Sequence, residues 1–162
     1  MSAEGSAFAQ VLDRIGRNVL EQLRDIPEGV LNRPVAIPEA NTLFALATHL
    51  VGAAEFWVLA LAGGRHIARD RDAEFRASGT YEELEVRYVR WMAEIREVLP
   101  AIDVAAWDRI VEPPLQFRSS VGEDTMTVRD CVAHAVEHSA LHLGQIQLTR
   151  SLLTQPPPEL PH

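Results

Sequence analysis

The chain of 162 residues contains one cysteine, which excludes an internal disulfide and fits a reducing, cytoplasmic setting. It has no run of about 18 apolar residues, so no membrane span is expected. The start, Met1-Ser2-Ala3-Glu4-Gly5, lacks the basic and apolar regions of a secretory signal. Basic excess is also missing. The formal charge is −8, which argues against a nucleic-acid or anionic-membrane surface. No internal repeat is visible, and strand patterns are weak throughout. Compositional bias is confined to Thr154-Gln155-Pro156-Pro157-Pro158-Glu159-Leu160-Pro161-His162, which reads as an extended tail over 154–162. The remainder, 1–153, is long enough to bury a full core as one domain.

Helical periodicity is abundant. The first pattern runs from Ser6 to Asp25, with Phe8, Val11, Leu12, Ile15, Val19, Leu23 and Ile26 on one face. Pro27 ends it, and Pro34 and Pro38 keep the following loop non-helical. A second pattern starts after Asn41 or Thr42, either of which is a good N-cap. It runs to Ala62, before Gly63-Gly64. A charged connection from Arg65 to Gly79 reads as a solvated loop, one that can also hold an anionic cofactor. The third helix extends from Thr80, with Glu83 completing a capping box, to Leu99, with Pro100 as its stop. A long connection over 101–126 precedes a fourth helix from Thr127 to Leu153. The fold class is all-α, and a four-helix bundle is the natural architecture.

Half of the six histidines lie in one stretch of that last helix, at His134, His138 and His142. Residues four apart on a helix are rotated by only about 40°, so two such imidazoles can aim at one point. The seam through Val128, Cys131, Ala135, His138, His142, Gln145, Thr149 and Leu152 is the face expected to meet the partner helices. Polar groups on a buried seam are costly unless paired. His134 lies on the flank of this seam, so His138 and His142 are the better pair. A third ligand should come from another helix. His66 is in the charged connection and His162 is terminal, whereas His49 lies on helix two beside its apolar stripe. Three imidazoles with open coordination positions are the mark of a catalytic metal site. His134, Gln145, Phe56 and Trp57 are expected beside the ligands or in the pocket wall. Cys131 reads as a small core residue, and no residue stands out as a general base.

Three segments carry a resemblance to a known family: Leu31-Asn32-Arg33-Pro34, then Glu39-Ala40-Asn41-Thr42 leading into His49-Leu50, and above all Glu137-His138-Ser139-Ala140-Leu141-His142-Leu143-Gly144-Gln145-Ile146. The chain resembles the DinB-like (DinB/YfiT-like) superfamily of metal-binding four-helix bundles from its first helix to Arg150. The resemblance implies an up-down-down-up bundle and places the family's ligands on His49, His138 and His142. A second histidine and an arginine common around the last ligand are replaced here by Leu141 and Leu143. Relatives include transferases using bacillithiol, mycothiol or glutathione, and an isomerase of maleylpyruvate.

The resemblance therefore implies a metal-dependent small-molecule enzyme, a thiol-dependent S-transferase or a related hydrolase. The metal would be one divalent ion, with nickel, zinc and iron all compatible with imidazole. A low-molecular-weight thiol and a small-molecule substrate would be its partners. The alternatives are a non-catalytic, stress-associated metal- or ligand-binding protein, or histidines serving as buried bridges. A homodimer is also expected, using scattered apolar residues such as Leu20, Val86 and Val89.

Overall fold

The computed structural model describes residues 1–118 and 124–154. Four long helices form a ring. The first, α1, spans Ala3–Leu23 and is capped by Ser2, whose hydroxyl accepts from the Gly5 amide at 3.1 Å. A short helix α2 (Glu28–Leu31) follows Pro27. Helix α3 (Leu43–Ala54) starts at Thr42, whose hydroxyl accepts from the Ala45 amide. It continues without a break as a π-helical segment, Glu55–Ala62. Helix α4 (Arg71–Phe75) lies in the connection to α5 (Tyr81–Ala101). Thr80 and Glu83 form both halves of the expected capping box.

The long connection after α5 holds a 3₁₀ turn (Val104–Asp108), a strand β1 (Ile110–Val111), a short helix α6 (Leu115–Arg118) and a strand β2 (Met126–Thr127). The two strands pair antiparallel, Ile110 opposite Thr127 and Val111 opposite Met126. Helix α7, Val128–Thr154, completes the ring.

Cross-helix contacts give the directions. The Ser2 amide donates to Pro100 O and Gly16 faces Trp91, so α1 and α5 are antiparallel. Arg129 bonds Glu4 and Arg150 bonds Gln22, so α1 and α7 are parallel. Gly79, just before α5, lies against Phe44, and Gly63, just beyond the π segment, lies against Val98, so α3 and α5 are parallel. Tyr88 donates to Ala47 O and Arg87 to Glu55 across the pair. Trp57 meets His134 while His49 meets His138, so α3 runs against α7. The bundle is thus up-down-down-up, and the long connection after α5 permits the crossover this order needs.

Every residue of α3 is buried, as are Glu55, Phe56, Trp57, Val58 and Leu59 beyond it. A π-turn inserts an extra residue into the helical repeat. The Gly63 amide accordingly donates five residues back, to Val58 O at 2.8 Å. Burial all round explains why Leu43–Ala62 has the length and mean hydropathy (1.6) of a membrane span. That qualifies the expectation of no such segment. Thr48, His49, Gly52 and Glu55 interrupt the apolar run, and 89% of the window is packed inside the protein.

Several expectations need correction. Pro100 does not stop α5 but lies in its last turn; the amide it lacks removes one of the final bonds of the helix, which ends one residue later, at Ala101. Leu20 is 7% exposed, because it packs in the core, so it is no candidate for an interface, whereas Val86 and Val89 are exposed. Leu152 is 52% exposed. The buried line on α7 passes through Ala135, Ser139, Ile146 and Thr149, and His138 and His142 lie along its edge. An α-helix turns 3.6 residues at a time, so a strict three-four stepping drifts off the true face over seven turns. The tail over 155–162, including His162, lies outside the described residues, as does Gly122.

One close approach holds the two ends of the α1–α5 pair together. A Cβ on Gly5 would collide with the Leu99 carbonyl. Glycine to alanine inside a helix ordinarily stabilises, by about 0.5–1 kcal/mol. Here Gly5→Ala is expected to destabilise, by about 1–3 kcal/mol as for other overpacked sites. Urea unfolding followed by circular dichroism checks the sign.

Candidate metal centre

Helices α3 and α7 face each other where His49 meets His138 and His142. His49 is 2% exposed, and the two α7 histidines are half-buried. His49 Nε2 lies 3.3 Å from His138 Nε2, and His142 Nε2 lies 3.2 Å from the same atom. One ligand nitrogen from each ring falls within 4.8 Å of the others, an arrangement that can hold a metal ion. Nitrogens bound to one ion at about 2.1 Å are separated by roughly 3.0–3.4 Å in octahedral or tetrahedral arrangements.

The far sides of the outer rings determine their tautomers. His49 Nδ1 is 2.8 Å from Glu74 Oε2, and His142 Nδ1 is 2.7 Å from Gln145 Oε1. A carboxylate and an amide oxygen only accept, so both Nδ1 atoms carry the proton and both Nε2 atoms present lone pairs. His138 Nε2 can donate to one of those lone pairs and not to both. Its own Nδ1 is buried without a partner among the described residues. A cation at the convergence point resolves this conflict, because all three Nε2 lone pairs then point at positive charge. The residues present therefore fit a divalent ion.

Glu74 sits at the centre of a buried polar cluster. Arg69 grips it with two bonds, Nε to Oε1 at 2.9 Å and Nη2 to Oε2 at 3.0 Å. The side chains of Arg69 and Glu74 are only 5% and 8% exposed, which corrects the reading of this connection as a solvated loop. Arg71 does lie at the surface, with its guanidinium over the Phe75 ring. Sequence reasoning gave neither Glu74 nor Phe75 a role. Phe75 stacks on the His49 ring with centroids 4.2 Å apart. The signal that was available is Asp70, an N-cap that starts α4 and brings Glu74 round to His49.

The other expected residues fall around this cluster. His134 is outside the triad, edge-on to Trp57 at 4.7 Å, and its Nε2 is buried without a partner among the described residues. Its ring centroid is 5.7 Å from that of His138. Phe56 packs on Phe117 at 4.6 Å, and the Arg69 guanidinium lies over both rings. Gln145 bonds His142 rather than a backbone carbonyl. His66 is exposed and is not part of the cluster. Cys131 is fully buried, and burial pushes its thiol up to about 11, so it is no thiolate near neutrality.

Electrostatics favour neutral imidazoles. Burial first, then the charges of neighbouring histidines, push His138 down to about 3. Burial and His49 push His142 down to about 4, against an opposing bond from Gln145. Burial also lowers His134. For Glu74, burial pushes the carboxyl up, but bonds from His49 and Arg69 outweigh it and hold the group below the usual range. Neutral rings beside an ionised carboxylate are the protonation states that metal binding requires.

The same shifts set a pH dependence for the metal-free chain. Above the ordinary histidine value of 6.5 the folded and unfolded chains both hold neutral rings, and the site contributes no slope. Below it the unfolded chain takes up protons that His138 and His142 refuse until about 3 and 4. Stability is therefore lost as pH falls through that window. In the His138→Gln variant the fall measured by urea unfolding between those limits should be shallower than in the wild type.

Comparison with known proteins agrees with this fold. No curated protein matches the chain in sequence. Among solved structures, a conserved protein from Enterococcus faecalis superposes with a TM-score of 0.73 over 94% of this chain and 98% of that one. At 14% identity this is a likeness of fold. The family model of the DinB superfamily matches residues 12–146, which take in α3, α5 and all three clustered histidines. The chain belongs to the DinB superfamily.

Proposed function

We propose that the protein is a metal-dependent small-molecule enzyme in which His49, His138 and His142 hold one divalent ion. The reaction class proposed is thiol-dependent S-transfer, or a related hydrolysis. The observation that carries this reading is the convergence of three Nε2 atoms within hydrogen-bond distance, with the two outer Nδ1 atoms already spent on Glu74 and Gln145. When bound, a divalent ion supplies a Lewis acid that lowers the pKa of a coordinated thiol or water. Nickel, zinc and iron all suit an imidazole site.

The chain's own part is to orient and to exclude water. Phe75 covers the His49 ring, and Trp57 lies against His134 on the opposite side. Phe56 and Phe117 form an aromatic wall under the Arg69 guanidinium. Beside that wall, Arg69, Asp70, Arg71, Asp72, Gln116 and Phe117 line a cavity of about 450 Å³. Its size supports a low-molecular-weight thiol. Glu74 is occupied by Arg69 and His49, and Cys131 is buried. That commitment of Glu74 favours one other reading, a metal- or ligand-binding protein without turnover.

Metal analysis of protein purified without an affinity tag, followed by turnover with a panel of thiols and electrophiles, tests the proposal. One equivalent of divalent metal and thiol-dependent loss of the electrophile are expected. Metal without turnover favours the non-catalytic reading, and a metal-free protein that takes up none on titration removes both. His138→Ala should abolish stoichiometric metal binding with helical content nearly unchanged, as read by metal titration and circular dichroism.

Pairing into a homodimer is also proposed. Leu141, Leu148 and Leu152 are 61%, 62% and 52% exposed and share one face of α7. Light scattering at micromolar concentration should give twice the chain mass; a monomer rejects the pairing.

A further inference from the structure

We propose that Glu74, gripped by Arg69 and given room by Gly52, is the positioning residue that fixes His49 for metal binding. The inference rests on the reading of His49, His138 and His142 as a metal site.

An ion pair buried in a connection costs more in desolvation than a surface pair, and it is poor evidence of added stability. The Arg69–Glu74 pair is buried, and its geometry is directional. Arg69 donates to both carboxylate oxygens, and Oε2 also accepts the His49 Nδ1 proton at 2.8 Å. That bond holds the proton on Nδ1 and turns the Nε2 lone pair toward His138. Metal-binding histidines are typically oriented in this way, by a carboxylate on the ring nitrogen away from the metal. Arg69 keeps the carboxylate from rotating and balances its charge, so Glu74 accepts the bond in one fixed orientation.

A second observation points to the same group. Gly52 is one turn beyond His49 on α3, and a Cβ there would collide with the Glu74 carboxylate and approach Arg87. Glycine is disfavoured relative to alanine inside a helix. At this position it leaves room for the carboxylate that bonds His49 Nδ1. Gly52, Glu74 and Arg69 thus come from α3, α4 and the segment before α4, and all three bear on a single imidazole. On the outer side of the pair, Thr48, Gly52, Glu55 and Arg87 share a cavity of about 250 Å³ with Arg69 and Glu74.

Cobalt(II) titration of the full chain against a competing chelator tests this, with the visible bands of the bound ion as a second readout. Glu74→Gln, which keeps the size and removes the charge, should weaken cobalt binding by about 10- to 100-fold and shift the bands, with helical content unchanged. Gly52→Ala should weaken binding in the wild-type background. In a Glu74→Ala background it should add nothing, because the carboxylate it displaces is gone. Wild-type cobalt affinity in Glu74→Gln overturns the proposal, as does a Gly52→Ala loss that is undiminished in Glu74→Ala. Failure of the wild-type chain to bind cobalt at all is a different result, which removes the metal reading itself.

Discussion

Three imidazole nitrogens from two helices, with His138 Nε2 3.3 Å and 3.2 Å from those of His49 and His142, impose a constraint that the surrounding structure answers. Neutral imidazole has one donor and one acceptor, and a chain of three with both outer donors committed elsewhere leaves lone pairs opposed. Burial worsens the conflict, since polar groups lose the water that would otherwise satisfy them. The partners at Glu74 and Gln145, the stacked Phe75 and the bidentate Arg69 are all arranged around that point. A divalent cation at that point would relieve all three lone pairs at once.

The bundle provides the rigidity for this. Helix α3 is buried on every side, so its backbone cannot shift without disturbing α5 and α7 together. Tyr88, fully buried, donates to Ala47 O at 2.8 Å and ties α3 to α5 two residues before His49. The π segment beyond Ala54 adds a residue to the repeat and presents Trp57 to His134 and Phe56 to the Arg69 guanidinium. On the opposite flank the Gly5–Leu99 approach and the Asp13–Arg96 bond join α1 to α5. The site thus lies on the longest elements of the fold, where positional precision is greatest.

The connection between α3 and α5 is the exception to that plan. Arg69, Glu74 and Phe75 come from a segment with a single helical turn, yet Glu74 and Phe75 contact His49 directly and Arg69 holds Glu74. Asp70 caps that turn, and Arg71 lies over Phe75 from outside. A short segment rich in both charges is thereby drawn into the core by one ion pair and one ring stack. The membrane-like hydropathy of α3 has a related origin. A helix that contacts its neighbours on all sides must be apolar all round, and His49 is its polar residue at the site.

Local chemistry in the sequence was enough for the four long helices, because capping groups such as Thr42 and Thr80 and the 3.6-residue apolar spacing act within a turn or two. It also brought His138 and His142 to one side of α7, since four-residue spacing does so in any helix. The up-down-down-up order came from family resemblance rather than from periodicity. Other features depended on contacts distant in the chain. The true buried line of α7 drifted from the three-four stepping, leaving Leu152 exposed and Ser139 inside. Leu20 was taken into the core by its neighbours across the bundle. Arg69 and Glu74 read as solvated because a charge pattern does not reveal whether a partner 25 residues away, His49, will desolvate it. Helix identity is a matter of near neighbours in sequence; the pairing of buried polar groups is decided only when the tertiary fold brings donor and acceptor together.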